Sequence, residues 1–143
     1  MLIRSATVED KGAIAELLRQ LDYEMPAELL ARKIELLNAH PDALLLVAED
    51  EGEVQGFISL HFIPQVALAG DFCRISYFCV GEGARSKGVG NLLEAAAMRA
   101  AVARRCDRIE VHCHARRSRA HEFYDRQGFE ESPKYLIKRL PVT

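Results

Sequence analysis

The run Arg85-Ser86-Lys87-Gly88-Val89-Gly90 places two cations and two glycines where a strand pattern gives way to a helix pattern. The start of a helix exposes backbone N–H groups and a partial positive charge, and that combination holds phosphate. Glycines let a diphosphate approach the backbone closely. The run is not a nucleotide P-loop, because Val89 stands where the lysine must follow Gly83-x-x-x-x-Gly88. It is not the dinucleotide fingerprint either: Gly81-x-Gly83-x-x leads to Ser86, and no parallel βαβ unit starts there. A flexible glycine turn that binds nothing would read the same way. The second chemical candidate is Phe123-Tyr124 with Gly128-Phe129 four residues on. A tyrosine hydroxyl within reach of a leaving group can hand it a proton, whereas a core tyrosine with a satisfied hydroxyl gives the same letters.

Other groupings carry less chemistry. Cys73, Cys79, Cys106 and Cys113 form no C-x-x-C pair, so reduced, buried thiols are expected and structural zinc is not. In His112-Cys113-His114 a strand would turn Cys113 away from both histidines, so no metal site is expected. Arg104, Arg105, Arg108, Arg116, Arg117 and Arg119 straddle a helix end, a strand and a loop in a chain of net charge −2. A solvated face, or a landing site for a phosphate, explains them better than nucleic acid. Charge is uneven along the chain. Residues 1–71 hold 5 basic and 13 acidic side chains, and residues 72–143 hold 14 and 8. The basic half suits an anionic ligand and the acidic half a cationic one, although two halves that attract each other fit equally well. The longest apolar run, Ala43 to Ala48, is far too short to span a membrane, and the N-terminus has no secretion signal, so a cytoplasmic location is expected.

These groups need a scaffold, and 143 residues suit one domain, here 1–143. Leu2-Ile3-Arg4 reads as a strand. Thr7 and Asp10 mark a helix start, and Ile14, Leu17, Leu18 and Leu21 make its apolar face. Pro26 opens a second helix striped by Leu30, Ile34 and Leu37. Strands follow at Ala43–Glu49, Val54–Ile63 (with Gly56 compatible with a bulge) and Phe72–Val80, an antiparallel meander turning first at Asp50-Glu51-Gly52-Glu53. Val89, Leu92, Leu93, Ala96 and Ala100 give a third helix face. Arg108–His114 alternates as a strand. Ala120, Phe123, Tyr124 and Gln127 mark a fourth helix capped by Gly128, and Phe129–Glu131 and Tyr135–Leu140 close the chain as short strands. The expected order is βααβββαβαββ, an α/β domain with about seven strands in a mostly antiparallel sheet and four helices.

The anchors Val80-x-x-x-x-Arg85-x-x-Gly88-x-Gly90 and Ala120-x-x-Phe123-Tyr124-x-x-x-Gly128-Phe129, in this element order, resemble the GNAT superfamily of acyl-CoA-dependent N-acyltransferases over essentially the whole chain. The resemblance implies an acetyl-CoA-dependent N-acetyltransferase working by direct attack in a ternary complex on the primary amine of a small molecule. It implies that Arg85, Ser86, Lys87, Gly88, Val89, Gly90 and Asn91 grip the coenzyme diphosphate, with Arg117 nearby. It implies that the strand carrying Phe78, Cys79 and Val80 runs beside the pantetheine arm. A backbone N–H near Val80 would face the thioester carbonyl. Tyr124 matches the family's general acid, which protonates the departing thiolate.

The base is open. An alkylamine is neutral in only about one molecule in 10³ at pH 7. Relatives place carboxylates or histidines where this chain has Arg74 and Ser76. Glu24, Glu28, His61, His112 and His114 are the substitutes, directly or through water, and Arg74 can instead meet an anionic part of the substrate. Arg117 stands where the family often has asparagine. With Gly128-Phe129-Glu130-x-Ser132 it makes the last third resemble aminoalkylphosphonate and related small-amine N-acetyltransferases. Relatives that pair through their last strands make a homodimer through Phe129–Leu140 an expectation as well. A protein N-terminal or lysine acetyltransferase, and a non-catalytic acyl-CoA-binding module, are the alternatives.

Overall fold

The computed structural model of the chain describes residues 1–85, 87–111, 118–131 and 136–141. They fall into two units, residues 1–111 and residues 112–143. The first unit is built on a five-stranded sheet in the order β1-β2-β3-β4-β5. The strands are β1 (Leu2–Ser5), β2 (Ala43–Asp50), β3 (Glu53–Ile63), β4 (Asp71–Val80) and β5 (Cys106–Val111). The first four pair antiparallel, and β5 joins β4 in parallel, so these two strands and the helix between them form a parallel βαβ unit where the sequence reading expects none to start. Helices α1 (Lys11–Arg19), α2 (Ala27–Ala39) and α3 (Val89–Ala103) complete this unit, and α4 (Ser118–Arg126) belongs to the second. No helix among the described residues is long and apolar enough to cross a membrane.

Both faces of the meander are covered, which is why Ala43–Ala48 is a continuous apolar run rather than an alternating one. Leu45, Val47, Phe57 and Cys79 pack under Ile14, Leu17 and Leu18 of α1 and Leu30 and Ile34 of α2. The β2–β3 turn has Glu51 at φ 51° and Gly52 at φ 80°, the type I′ geometry that matches the twist of a tight hairpin. The bulge expected at Gly56 is present one step away. Ala48 pairs with Gly56 and Glu49 with Val54, so Gln55 is the extra residue. Gly56 itself serves close packing. A Cβ built there would lie 2.8 Å from the Cys79 carbonyl oxygen, 3.1 Å from Val89 and 3.2 Å from Leu93. The first turn of α3 therefore sits directly on β3 because that residue has no side chain.

Three further sequence expectations are corrected. Leu92 is exposed, and the buried stripe of α3 is Val89, Leu93, Ala96, Ala97 and Ala101, with Glu94 beside it. The fifth strand starts at Cys106 rather than Arg108 and is described to Val111, and the expected residues 112–114 lie outside the described residues. The two closing strands are not strands where the chain is described, at residues 129–131 and 136–140. The Phe129 N–H, which a ladder would need, is bonded to the Tyr124 carbonyl at 2.9 Å as part of the cap of α4. Leu136, Ile137 and Leu140 are exposed, so no sheet buries them. The sheet therefore has five strands among the described residues instead of about seven.

Two outcomes follow for stability. Gly56→Ala should cost about 1–3 kcal/mol in denaturant unfolding, because a backbone carbonyl and two core side chains must give way. Glu94 is 4% exposed and its Oε1 has no partner among the described residues. Burial pushes its carboxyl above the usual range, so the fold favours the protonated form. That contribution is complete below pH about 4 and is lost as pH rises through the raised pKa. Glu94→Met should be more stable than the parent at neutral pH by about 1–3 kcal/mol, with a gap that closes in thermal melts taken near pH 4.

Candidate functional site

Along β4 the pairing with β3 slips by one residue. Tyr77 faces Ser59 and Ile75 faces Leu60, so Ser76 stands opposite nothing and forms a bulge. Its hydroxyl donates to the Ser59 carbonyl at 3.2 Å. The slip reverses the alternation of the strand. Before it, Cys73 and Ile75 share the α3 face of the sheet with their partners Phe62 and Leu60, and Arg74 faces the other side with His61. After it, Phe78 and Val80 face α3, whereas Tyr77 and Cys79 face α1 and α2. The parallel ladder with β5 is described as far as Ile75 and Val111, the last described residue before 118, and β4 runs on to Val80.

The chain then turns sharply into α3. Gly81 N–H donates to the Gln55 carbonyl at 2.8 Å, and residues Glu82–Ala84 make one 3-10 turn with Ala84 fully buried. Lys87 N–H closes on the Ala84 carbonyl at 3.1 Å, and Arg85 Nε reaches the Val80 carbonyl at 3.5 Å. Gly88 has φ 78°, a left-handed value that a residue with a side chain avoids, and it caps α3. The first intrahelical bond is Leu92 N–H to the Gly88 carbonyl, 3.1 Å. Helix geometry thus points the N–H groups of Val89 and Gly90 out of the helix end. A Cβ built at Gly83 or Gly88 would meet nothing within 4 Å, and Arg85, Lys87 and Gly88 are exposed. The loop is open, cationic and rich in outward N–H groups, which fits an anionic diphosphate.

On the face shared with α1 and α2, β3, β4 and β5 bring together a polar group that the helices leave partly open. Arg74 Nη2 donates to Glu110 Oε1 at 2.7 Å across the parallel ladder. His61 lies opposite Arg74 and is half-buried. Burial, reinforced by the nearby His40 and Arg74, holds the His61 imidazole below its ordinary pKa, so it is neutral at neutral pH. Tyr77 stacks edge-on against Tyr23 at 5.6 Å. The end of α1 places Tyr23: Asp22 is left-handed at φ 67°, and Tyr23 N–H returns to the Leu18 carbonyl at 3.0 Å. Ser59 is buried beneath this group.

In the second unit, α4 ends in a Schellman motif. Phe129 N–H bonds the Tyr124 carbonyl at 2.9 Å and Gly128 N–H the Asp125 carbonyl at 3.0 Å, with Gly128 at φ 90°. The Phe129 ring packs edge-on against Tyr124 at 5.3 Å, the apolar contact that accompanies such a cap. The spacing of Tyr124, Gly128 and Phe129 is thus a capping device that fixes the orientation of the half-buried phenol.

Of the remaining sequence candidates, Glu24 is exposed, and Glu28 is exposed and reaches Lys11 at 3.6 Å. Cys79 is buried with its thiol on the Leu17 carbonyl at 3.2 Å. Ser86, His112, His114 and Arg117 lie outside the described residues. Sequence reasoning missed Tyr23, Tyr77 and Glu110. The alternation of β3 and β4 pairs His61 with Arg74, but only the parallel register of β5 brings Glu110 to them.

A cleft of about 690 Å³ opens beside the first residues of the loop before α3, between the start of α1, the β2–β3 turn and residues 81–83. Glu9, Asp10, Glu16, Glu53 and Glu82 line it, so its field repels a diphosphate.

Comparison with known proteins places this geometry. The acetyltransferase (GNAT) family pattern matches residues 12–129. The chain is 31% identical over 143 residues to the aminoalkylphosphonate N-acetyltransferase of Salmonella typhimurium, covering 96% of this chain and 90% of that one. A transcriptional regulator from Bacillus halodurans superposes with a TM-score of 0.88 at 23% identity, covering 97% of this chain and 99% of the other. The glucosamine-6-phosphate N-acetyltransferase of Arabidopsis thaliana superposes with a TM-score of 0.85 at 21% identity, over 98% of each chain. With its strand-to-helix glycine loop inside the matched segment, the chain belongs to the GNAT acetyltransferase family, whose acyl donor is acetyl-CoA.

Proposed function

We propose that the chain transfers an acetyl group from acetyl-CoA to the primary amine of a small molecule by direct attack in a ternary complex. The observation that carries this reading is the open, cationic loop between Val80 and α3. The loop N–H groups of residues 88–90, with the side chains of Arg85 and Lys87, hold the diphosphate. The same role falls to Ser86 and Asn91 by their place in the run. Phe78, Cys79 and Val80 line the path of the pantetheine arm. The Val80 N–H steadies the oxyanion formed when the amine adds to the thioester carbonyl. Tyr124 gives its proton to the thiolate as the carbon–sulfur bond breaks, and the cap of α4 holds the phenol in one orientation for that transfer. His61, neutral at neutral pH, is a group on the sheet face able to take the proton that the incoming ammonium must lose. The relative whose name specifies an aminoalkylphosphonate supports a small amine over a protein acceptor.

Thiol release from acetyl-CoA against a panel of small amines and peptides tests the reading. Small amines should turn over. Turnover of peptides alone would make the chain a protein acetyltransferase, and tight acetyl-CoA binding without turnover would make it a binding module. Gly88→Glu should weaken acetyl-CoA binding at least about tenfold, roughly 1.4 kcal/mol, in calorimetry, through charge repulsion and the left-handed strain. Unchanged affinity would remove the loop from the site. Tyr124→Phe should lower kcat by about 10²–10⁴-fold with acetyl-CoA affinity preserved; full activity in that variant would end its role as general acid.

A further inference from the structure

We infer that the Arg74–Glu110 ion pair is a zwitterion-recognition device, which opens to take an aminoalkyl acid with the anion on Arg74 and the ammonium on Glu110. This inference deepens the transfer reading given above and rests on it for the role of the bound amine. The pair is incomplete as it stands. Nε–H and Nη2–H of a guanidinium form one fork that matches two oxygens of a carboxylate, phosphonate or sulfonate. Glu110 occupies only one tooth, Nη2, at 2.7 Å. The other tooth, Nε, is shielded from solvent and has no partner among the described residues. A buried donor without a partner carries the full cost of its lost hydration. An incoming oxyanion that takes both teeth removes that cost, which Glu110 in its present position does not.

The exchange conserves charge. Arginine and glutamate form a neutral pair, an aminoalkyl acid is neutral overall, and two ion pairs replace one. An amine with an uncharged tail brings a net positive charge and nothing for Nε. The two side chains are 37% and 26% exposed, so a small molecule can reach them. The other titratable groups on this face are consistent with the exchange. His61 across the ladder is neutral, and Tyr77 is a phenol pushed above its ordinary pKa by burial and by Tyr23, so neither opposes an anion at Arg74. The tail anion is the shared chemistry, and the experiment separates its sources.

The test measures thiol release by the full chain with 3-aminopropylphosphonate, 3-aminopropanesulfonate, 4-aminobutyrate and n-propylamine. It also measures binding of each to the protein saturated with coenzyme A by calorimetry. The acid-tailed amines should exceed n-propylamine in kcat/KM by at least about tenfold, the worth of one charge-assisted hydrogen bond, and the best of them names the tail. Arg74→Met should erase that preference and Arg74→Lys should keep part of it, both with unaltered acetyl-CoA affinity, which also reports that they fold. Glu110→Gln should weaken every amine while keeping the preference for an acidic tail. Equal use and equal binding of n-propylamine by the parent chain, or a preference that survives Arg74→Met, overturns the inference while leaving acetyl transfer intact. Acid-tailed amines that bind through Arg74 without any thiol release overturn the transfer reading instead and leave the recognition device standing.

Discussion

Ser76 stands in β4 with no counterpart in β3, and the reversal it causes decides which side chains meet. In an unbroken strand Arg74, Phe78 and Val80 would share one face, and Tyr77 and Cys79 would join Cys73 and Ile75 on the other. The extra residue instead places Tyr77 on the face of Arg74 and His61, and directs Phe78 and Val80 to α3. Bulges also increase local twist and end pairing. One unmatched residue therefore accounts for the polar group on one face of the sheet.

A second constraint sets where the diphosphate loop lies. Val89 and Leu93 are fully buried and rest on β3 where Gly56 leaves room. Gly81 is tied to the Gln55 carbonyl next door. The loop between these two attachments can be open and cationic, with glycines at 83 and 88, because both of its ends are anchored to the same stretch of β3. Rigid ends with an exposed middle suit a site that must present N–H groups without collapsing onto them.

Much of this was readable in the residues. The apolar stripes of α1 and α2, the tight turn at Glu51-Gly52, the strand-loop-helix passage at 80–90 and the cap at Gly128 all rest on local rules, and each is present. What escaped depends on partners distant in sequence. The bulge at Ser76 leaves no local mark, since serine fits a strand or a bulge equally. Leu92 repeats at helical spacing but points outward, because the narrow alanine face of α3 already fills the space above the sheet. Phe129 alternates like a strand residue, yet its N–H is used by the helix before it. Glu110 reads as the polar side of an alternating strand, and only the parallel register makes it the partner of Arg74.

The electrostatics separate two openings in the same unit. The cleft edged by Glu9, Glu16, Glu53 and Glu82 is acidic, whereas the end of α3 presents Arg85, Lys87 and outward N–H groups. The field favours the end of α3 for an anion such as a diphosphate. Amide hydrogen exchange of the full chain with and without acetyl-CoA measures this choice directly. Slowed exchange concentrated in peptides spanning residues 76–92 is the result this account requires. Slowed exchange confined to residues 9–20 and 52–55, with 76–92 unaffected, would contradict it.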